Sequence, residues 1–231
     1  MPARRRPYHR VDLETQLLDA ASRLLADGGL EALSLRELGR AVGVSRTAAY
    51  HYFPDKATLL ARVGERGFTV LLEQLHRVAD PTLPIAEQLV RGLEAYVACA
   101  CDDPARFRVM FGNVLVRDLV RSVSPTAPAH AFSSDAAAAA FRALLSPLED
   151  AHARGELGDV SPLVAGHAFW AFAHGVAALA IGDNLKPSSL APSLLREGVL
   201  AMLAGFRARS PQRGAAIARE HASASGASGV P

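Results

Sequence analysis

The chain has 231 residues, half of them hydrophobic, and a formal net charge of only +2. That length suits one domain or two small ones, with ample apolar material for a core, and so small a charge does not by itself argue for nucleic acid. Its two cysteines, Cys99 and Cys101, fall on different faces of a helix; this is neither a disulfide framework nor a zinc or redox spacing, and they read as inert thiols.

Arg4, Arg5, Arg6 and Arg10 precede the first acid, Asp12. Residues 1–9 are expected to form a flexible basic arm, either touching phosphates or the minor groove or solvated as a plain tail. The basic start is not followed by an apolar stretch of the secretory kind. Nothing calls for an oxidising compartment, so a cytoplasmic protein is expected.

Val11 to Ala26 is predicted as helix one, with a stripe of Leu13, Leu17, Leu18, Ala21, Leu24 and Leu25 ended by Asp27-Gly28-Gly29. Ser34 and Glu37 form a capping box for helix two, flanked by Leu33 and Leu38 at staple spacing. Gly43 tolerates the positive φ of a helix end, and Ser45 is a ready N-cap for a short helix three. This is the pattern of a helix-turn-helix, whose second helix enters the DNA major groove. Across Leu33 to Lys56 four cations, Arg36, Arg40, Arg46 and Lys56, stand against two acids, Glu37 and Asp55.

The stretch Gly43-Val44-Ser45-Arg46-Thr47-Ala48-Ala49-Tyr50, followed by His51-Tyr52-Phe53-Pro54-Asp55-Lys56 and Leu59-Leu60, resembles the TetR family of bacterial transcriptional regulators over roughly residues 10 to 60. The resemblance implies DNA binding by helix three and a phosphate contact for Lys56. The physical reading of Lys56 agrees. A cation in the first turn of a helix opposes the macrodipole unless an anion lies nearby, and a phosphate docked on the helix amides would be that anion; the alternative is a solvated lysine.

The candidate DNA-contacting set is Ser34, Arg36, Ser45, Arg46, Thr47, Ala48, Tyr50, His51 and Lys56. Arg46 suits a guanine edge or a phosphate, Thr47 a base or a phosphate, and Ala48 a thymine methyl. Tyr50 and His51 suit the backbone, which sets register. Tyr52 and Phe53 read as core.

Asp55 caps helix four, which carries Leu59, Leu60, Val63, Phe68, Leu71, Leu72 and Leu75. Helix five is predicted over Ile85 to Cys101, and helix six from Pro104 through Phe111. A Ser- and Pro-rich loop over Ser122 to Pro128 leads to helix seven, Ser134 to Arg154. Helices eight and nine are predicted over Leu163 to Ile181 and Leu190 to Arg207. Residues 210–231, rich in Gly, Ala and Ser, are expected to be a disordered tail. Helix eight lies in a stretch without Asp, Glu, Lys or Arg, long enough to span a bilayer. Its histidines, nearby Pro162 and acidic flanks argue instead for a helix buried in protein, and no membrane partner is expected.

No catalytic set or phosphate loop is present, and no enzyme activity or cofactor is expected. His167 and His174 lie two turns apart, too far to chelate one ion, and no metal site is expected. Aromatic and apolar residues from helices five to eight, Tyr96, Phe107, Met110, Phe111, Phe141 and Trp170 together with His174, could wall a cavity for a lipophilic or aromatic effector; ordinary core packing uses the same residues. The segments around Phe107 and Trp170 also look like the TetR subgroup with a WHG-type C-terminal domain.

The expected architecture is all-α with about nine helices: a helix-turn-helix DNA-binding domain over 10–54, then a larger helical effector-binding and dimerisation domain over 55–209. The expected function is a ligand-responsive repressor binding a palindromic operator in double-stranded DNA as a homodimer through helices eight and nine, with Ala173 and Ala177 as sites for a disruptive charge. Its rivals are an effector-free regulator acting as an activator, and a helical ligand carrier or enzyme with a vestigial head.

Overall fold

The computed structural model describes residues 10–111, 134–186 and 190–208. The N-terminal arm, the Ser122–Pro128 loop and the tail lie outside the described residues. Among them are nine helices: α1 (Arg10–Ala32), α2 (Leu35–Val42), α3 (Arg46–Tyr52), α4 (Lys56–Val78), α5 (Ile85–Asp102), α6 (Pro104–Phe111), α7 (Asp135–Ala153), α8 (Pro162–Ile181) and α9 (Leu190–Arg207). Two compact units emerge, Met1–Glu73 with Cys99–Ala140, and Gln74–Ala98 with Phe141–Pro231.

In the first unit, Leu17, Leu18, Ala21, Leu25, Leu33, Leu35, Leu38, Ala49, Phe53, Leu59, Leu60 and Val63 share one core. α6 adds Val109 to it. The periodic stripe of α1 therefore meets the staple leucines Leu33 and Leu38. Phe53 is a core residue as expected, whereas Tyr52 is only partly buried and packs at its edge. α1 does not end at Ala26. Gly28 and Gly29 break it, Gly29 at φ 66°, and one more turn runs to Ala32. The glycine pair thus acts as a kink rather than a stop, because Leu30 still has the head core to join.

The helix caps follow the sequence closely. Ser34 Oγ accepts from the Glu37 amide at 3.1 Å. The return half of the capping box is replaced, since the Glu37 carboxylate pairs with Arg40 one turn on. Asp55 Oδ1 accepts from the Thr58 amide at 2.7 Å, and Asp103 Oδ1 from the Arg106 amide at 2.9 Å, with Pro104 as the first residue of α6. α7 runs through Pro147, an interior position that costs roughly 3 kcal/mol. The buried Leu148 and Ala151 beyond it offset that cost.

In the second unit, α8 buries Ala165, Gly166, Phe169, Ala173, Val176 and Ala177. A Cβ on Gly166 would lie 3.3 Å from Leu145, and one on Gly198 would overlap the Phe172 ring. Small residues therefore set how closely α7 and α9 approach α8. Phe169 meets Phe206 of α9 edge-on at 5.8 Å. α8 is long and apolar enough to cross a membrane by length and composition, but this buried face serves the unit's own core.

The turn between α2 and α3 depends on Gly43. Its φ is 74°, and its amide and that of Val44 bond back to Arg40 (3.2 Å) and Gly39 (2.9 Å). These two bonds close the left-handed helix end. Gly43→Ala should therefore lower stability by about 1 kcal/mol, read as a lower urea midpoint with unchanged helical circular dichroism.

Candidate functional site

α3 offers its outer face and buries its inner one. Ala49 is fully buried in the head core, while Ser45, Arg46, Thr47, Tyr50 and His51 are exposed and Ala48 is partly so. Ser45 caps the helix, its Oγ accepting from the Ala48 amide at 3.1 Å. Gly39 lets this helix come close to α2, since a Cβ there would sit 3.2 Å from the Val44 carbonyl oxygen. Arg36 and Arg40 of α2 are also exposed. Seven of the nine residues assigned to DNA from the sequence thus lie on α3, its cap or the exposed side of α2: Arg36, Ser45, Arg46, Thr47, Ala48, Tyr50 and His51. Ser34 is half-buried and occupied in capping α2. A pairing within α3 escaped the sequence reading. The Arg46 guanidinium lies 5.1 Å from the Tyr50 ring centroid, and its Nη2 donates to the Tyr50 hydroxyl at 3.5 Å.

Lys56 holds a different partner from either of its two expected ones. Its ammonium donates to the carbonyl of Leu30, in the last turn of α1. Desolvation moves its pKa below the usual lysine value, and nearby Glu31 pulls the other way. The carbonyl supplies the negative pole that a cation at a helix N-terminus lacks. Lys56 thereby ties the start of α4 to the last turn of α1.

The residues assigned to an effector divide between the units. Phe107, Met110 and Phe111 belong to the first. Phe107 and Met110 are buried there, Phe111 lies 4.8 Å from Phe107 and 5.3 Å from Phe68, and Met110 covers Gly67. Tyr96, Phe141, Trp170 and His174 belong to the second. Trp170 Nε1 donates to the Tyr96 hydroxyl at 3.2 Å. The same hydroxyl lies 2.9 Å from His174 Nδ1. Indole N–H can only donate, so the Tyr96 oxygen accepts from it, while the direction of the Tyr96–His174 bond is set by the imidazole tautomer. Burial lowers the His174 pKa, favouring the neutral ring. Phe141 packs against His167 with ring centroids 4.9 Å apart and the planes tilted, and His167 Nδ1 donates to the Leu163 carbonyl at 2.8 Å.

Cys99 is buried and Cys101 exposed, and desolvation raises the pKa of both thiols, which disfavours the reactive thiolate. Among the described residues no group of three His, Cys, Asp or Glu is placed to hold a metal ion.

A capped, glycine-turned helix pair that exposes Arg46, Thr47, Tyr50 and His51 over a buried Ala49 defines a helix-turn-helix DNA-binding protein. The sequence pattern of the bacterial regulatory proteins of the tetR family matches residues 17–63, and that of the tetracyclin repressor-like C-terminal domain matches residues 89–205. The chain belongs to the TetR family, whose members are bacterial regulatory proteins. The matching C-terminal pattern is the tetracyclin repressor-like one.

Among curated relatives, an uncharacterized HTH-type transcriptional regulator of Haemophilus influenzae is 34% identical over 79 residues, covering 34% of this chain and 42% of its own. The HTH-type transcriptional regulator AcrR of Shigella flexneri is 32% identical over 100 residues, covering 41% and 46%. The chain thus spans about half or less of these relatives. A protein of unknown function from Rhodococcus sp. RHA1 superposes with a TM-score of 0.71 at 25% identity, covering 88% of this chain and all of the other. The regulator PfmR of Thermus thermophilus shares the fold at a TM-score of 0.60 and 21% identity, covering 81% and 97%.

The half-buried network of the second unit has a pH signature. With the folded His174 pKa lowered, the unfolded chain takes up the proton first as pH falls below about 6.5, the ordinary histidine value. The unfolded state then binds more protons, so stability falls on acidification. Urea midpoints at pH 7.5 and pH 5 should show this drop in the wild type, and His174→Gln should reduce it.

Proposed function

We propose that this regulator is a ligand-responsive repressor that binds a palindromic operator as a homodimer, working in the cytoplasm. The observation that carries the reading is an exposed stripe in the second unit. On α8 it runs through Val164, His167, Ala171, Gly175 and Ala178, with Leu163 and Leu179 beside it. Leu163 and Val164 are 55% and 60% exposed, high values for such side chains. On α9 the exposed residues Leu200, Ala201, Ala204 and Gly205 are of the same kind. Small residues permit close helix approach, and a second copy would cover both stripes in a four-helix arrangement.

Ala173 and Ala177 are wrong places for the test. Both are buried inside their own unit, one helix face away from the stripe. Ala171→Glu or Ala178→Glu puts the charge on the exposed side. Either should shift sedimentation at micromolar concentration from dimer to monomer and weaken operator binding. Duplexes selected by the full-length protein from a random library should be palindromes with half-sites about 34–36 Å apart or a multiple of that. A wild-type protein that sediments as a monomer and still selects a palindrome would overturn the dimer.

Effector recognition is assigned to the second unit, where Tyr96, Trp170 and His174 set three linked polar groups among apolar side chains. A lipophilic or aromatic molecule with one polar group fits such a lining. The effector can shift the DNA-binding state only by its differential affinity for the two states. An effector found by screening for release of the selected duplex should change Trp170 fluorescence over the same concentration range. Unaltered affinity and release in Trp170→Phe would remove Trp170 from the site.

A further inference from the structure

Arg46 and Tyr50 stand one turn apart on the exposed face of α3, at a spacing that makes neighbours on a helix. Arg46 is the first residue of the helix, and the Ser45 cap fixes the backbone at that point. The head's described ion pairs engage Arg40, Arg62, Arg66 and Arg106 with acids. Arg46 is instead held by an aromatic ring, with its carbon 5.1 Å from the Tyr50 centroid and one Nη2 hydrogen on the Tyr50 hydroxyl. Tyr50 itself is 40% exposed, so it can be altered with little effect on the core.

A neutral ring holds a guanidinium without neutralising it. Arginine carries about 2 kcal/mol of rotamer entropy, part of which must be given up on docking. Stacking on Tyr50 gives up part of it beforehand. The Nη2 bond uses one of five donors, and the remaining edge keeps the two parallel N–H groups that match O6 and N7 of guanine. A phosphate would need only the charge, whereas a planar base edge needs the fixed plane.

We infer that Tyr50 is a specificity-determining residue that positions Arg46, and that the pair reads one guanine in the major groove as a unit. This rests on the DNA-binding role of α3 and deepens it. Tyr50 thereby acts through Arg46, rather than only as a contact to the DNA backbone.

The test uses full-length protein and the duplex it selects from a random library, with every base pair of one half-site replaced in turn. Wild type should prefer guanine at one position by about 5- to 150-fold, the range of a bidentate arginine pair. Arg46→Ala should lose that preference. Tyr50→Ala should lose most of it at the same base pair, while its salt dependence on an unrelated duplex stays that of wild type. Tyr50→Phe keeps the ring and should retain most of the preference. The inference is overturned if Tyr50→Ala weakens every duplex equally and keeps the guanine preference, the result expected of a plain phosphate contact. Equal loss in Tyr50→Phe and Tyr50→Ala would overturn the stacking. Were wild type to enrich no duplex at all, the DNA-binding reading would fail with it, an outcome distinct from the other two.

Discussion

The tight turn between α2 and α3, made by Gly39 and Gly43, is the constraint on which the DNA-reading face depends. A side chain at Gly39 would press on the Val44 carbonyl. One at Gly43 would be held at a φ of 74°, where L-residues are strained. Because both positions lack a Cβ, Ala49 can sink fully into the head core. With Ala49 inward, helical geometry turns Arg46, Thr47 and Tyr50 outward. One backbone condition thus decides which side chains meet solvent and which hold the helix in place.

The head is held by apolar burial and trimmed by charge. Arg62 pairs with Glu14 and Glu65 at 2.7 Å, and Arg66 with Asp19 at 2.8 Å, so α4 and α1 are linked twice. Pairs as exposed as these add little stability each. Lys56 adds a third tie at the start of the same helix through the Leu30 carbonyl.

The second unit solves a different problem. Its α8 has almost no charge to mark inside from outside, and its apolar residues go nearly all the way round. The Tyr96 hydroxyl, held between the indole of Trp170 and the imidazole of His174, satisfies three polar groups at once. Polar groups withdrawn from water cost free energy when unpaired, so this half-buried network favours one arrangement of α5 against α8.

The sequence by itself determined the local structure of the head, because its signals are local. Ser45, Asp55 and Gly43 act within four residues of their own position, and caps and left-handed turns need no distant partner. The all-helical class and the helix spans followed from apolar periodicity for the same reason. Tertiary structure alone decided what Lys56 met, a carbonyl 26 residues away. It also decided that Ala173 and Ala177 face inward while Ala171 and Ala178 face out. On a helix as uniformly apolar as α8 the pattern carries no sign of direction, and only the neighbours that pack against it can supply one.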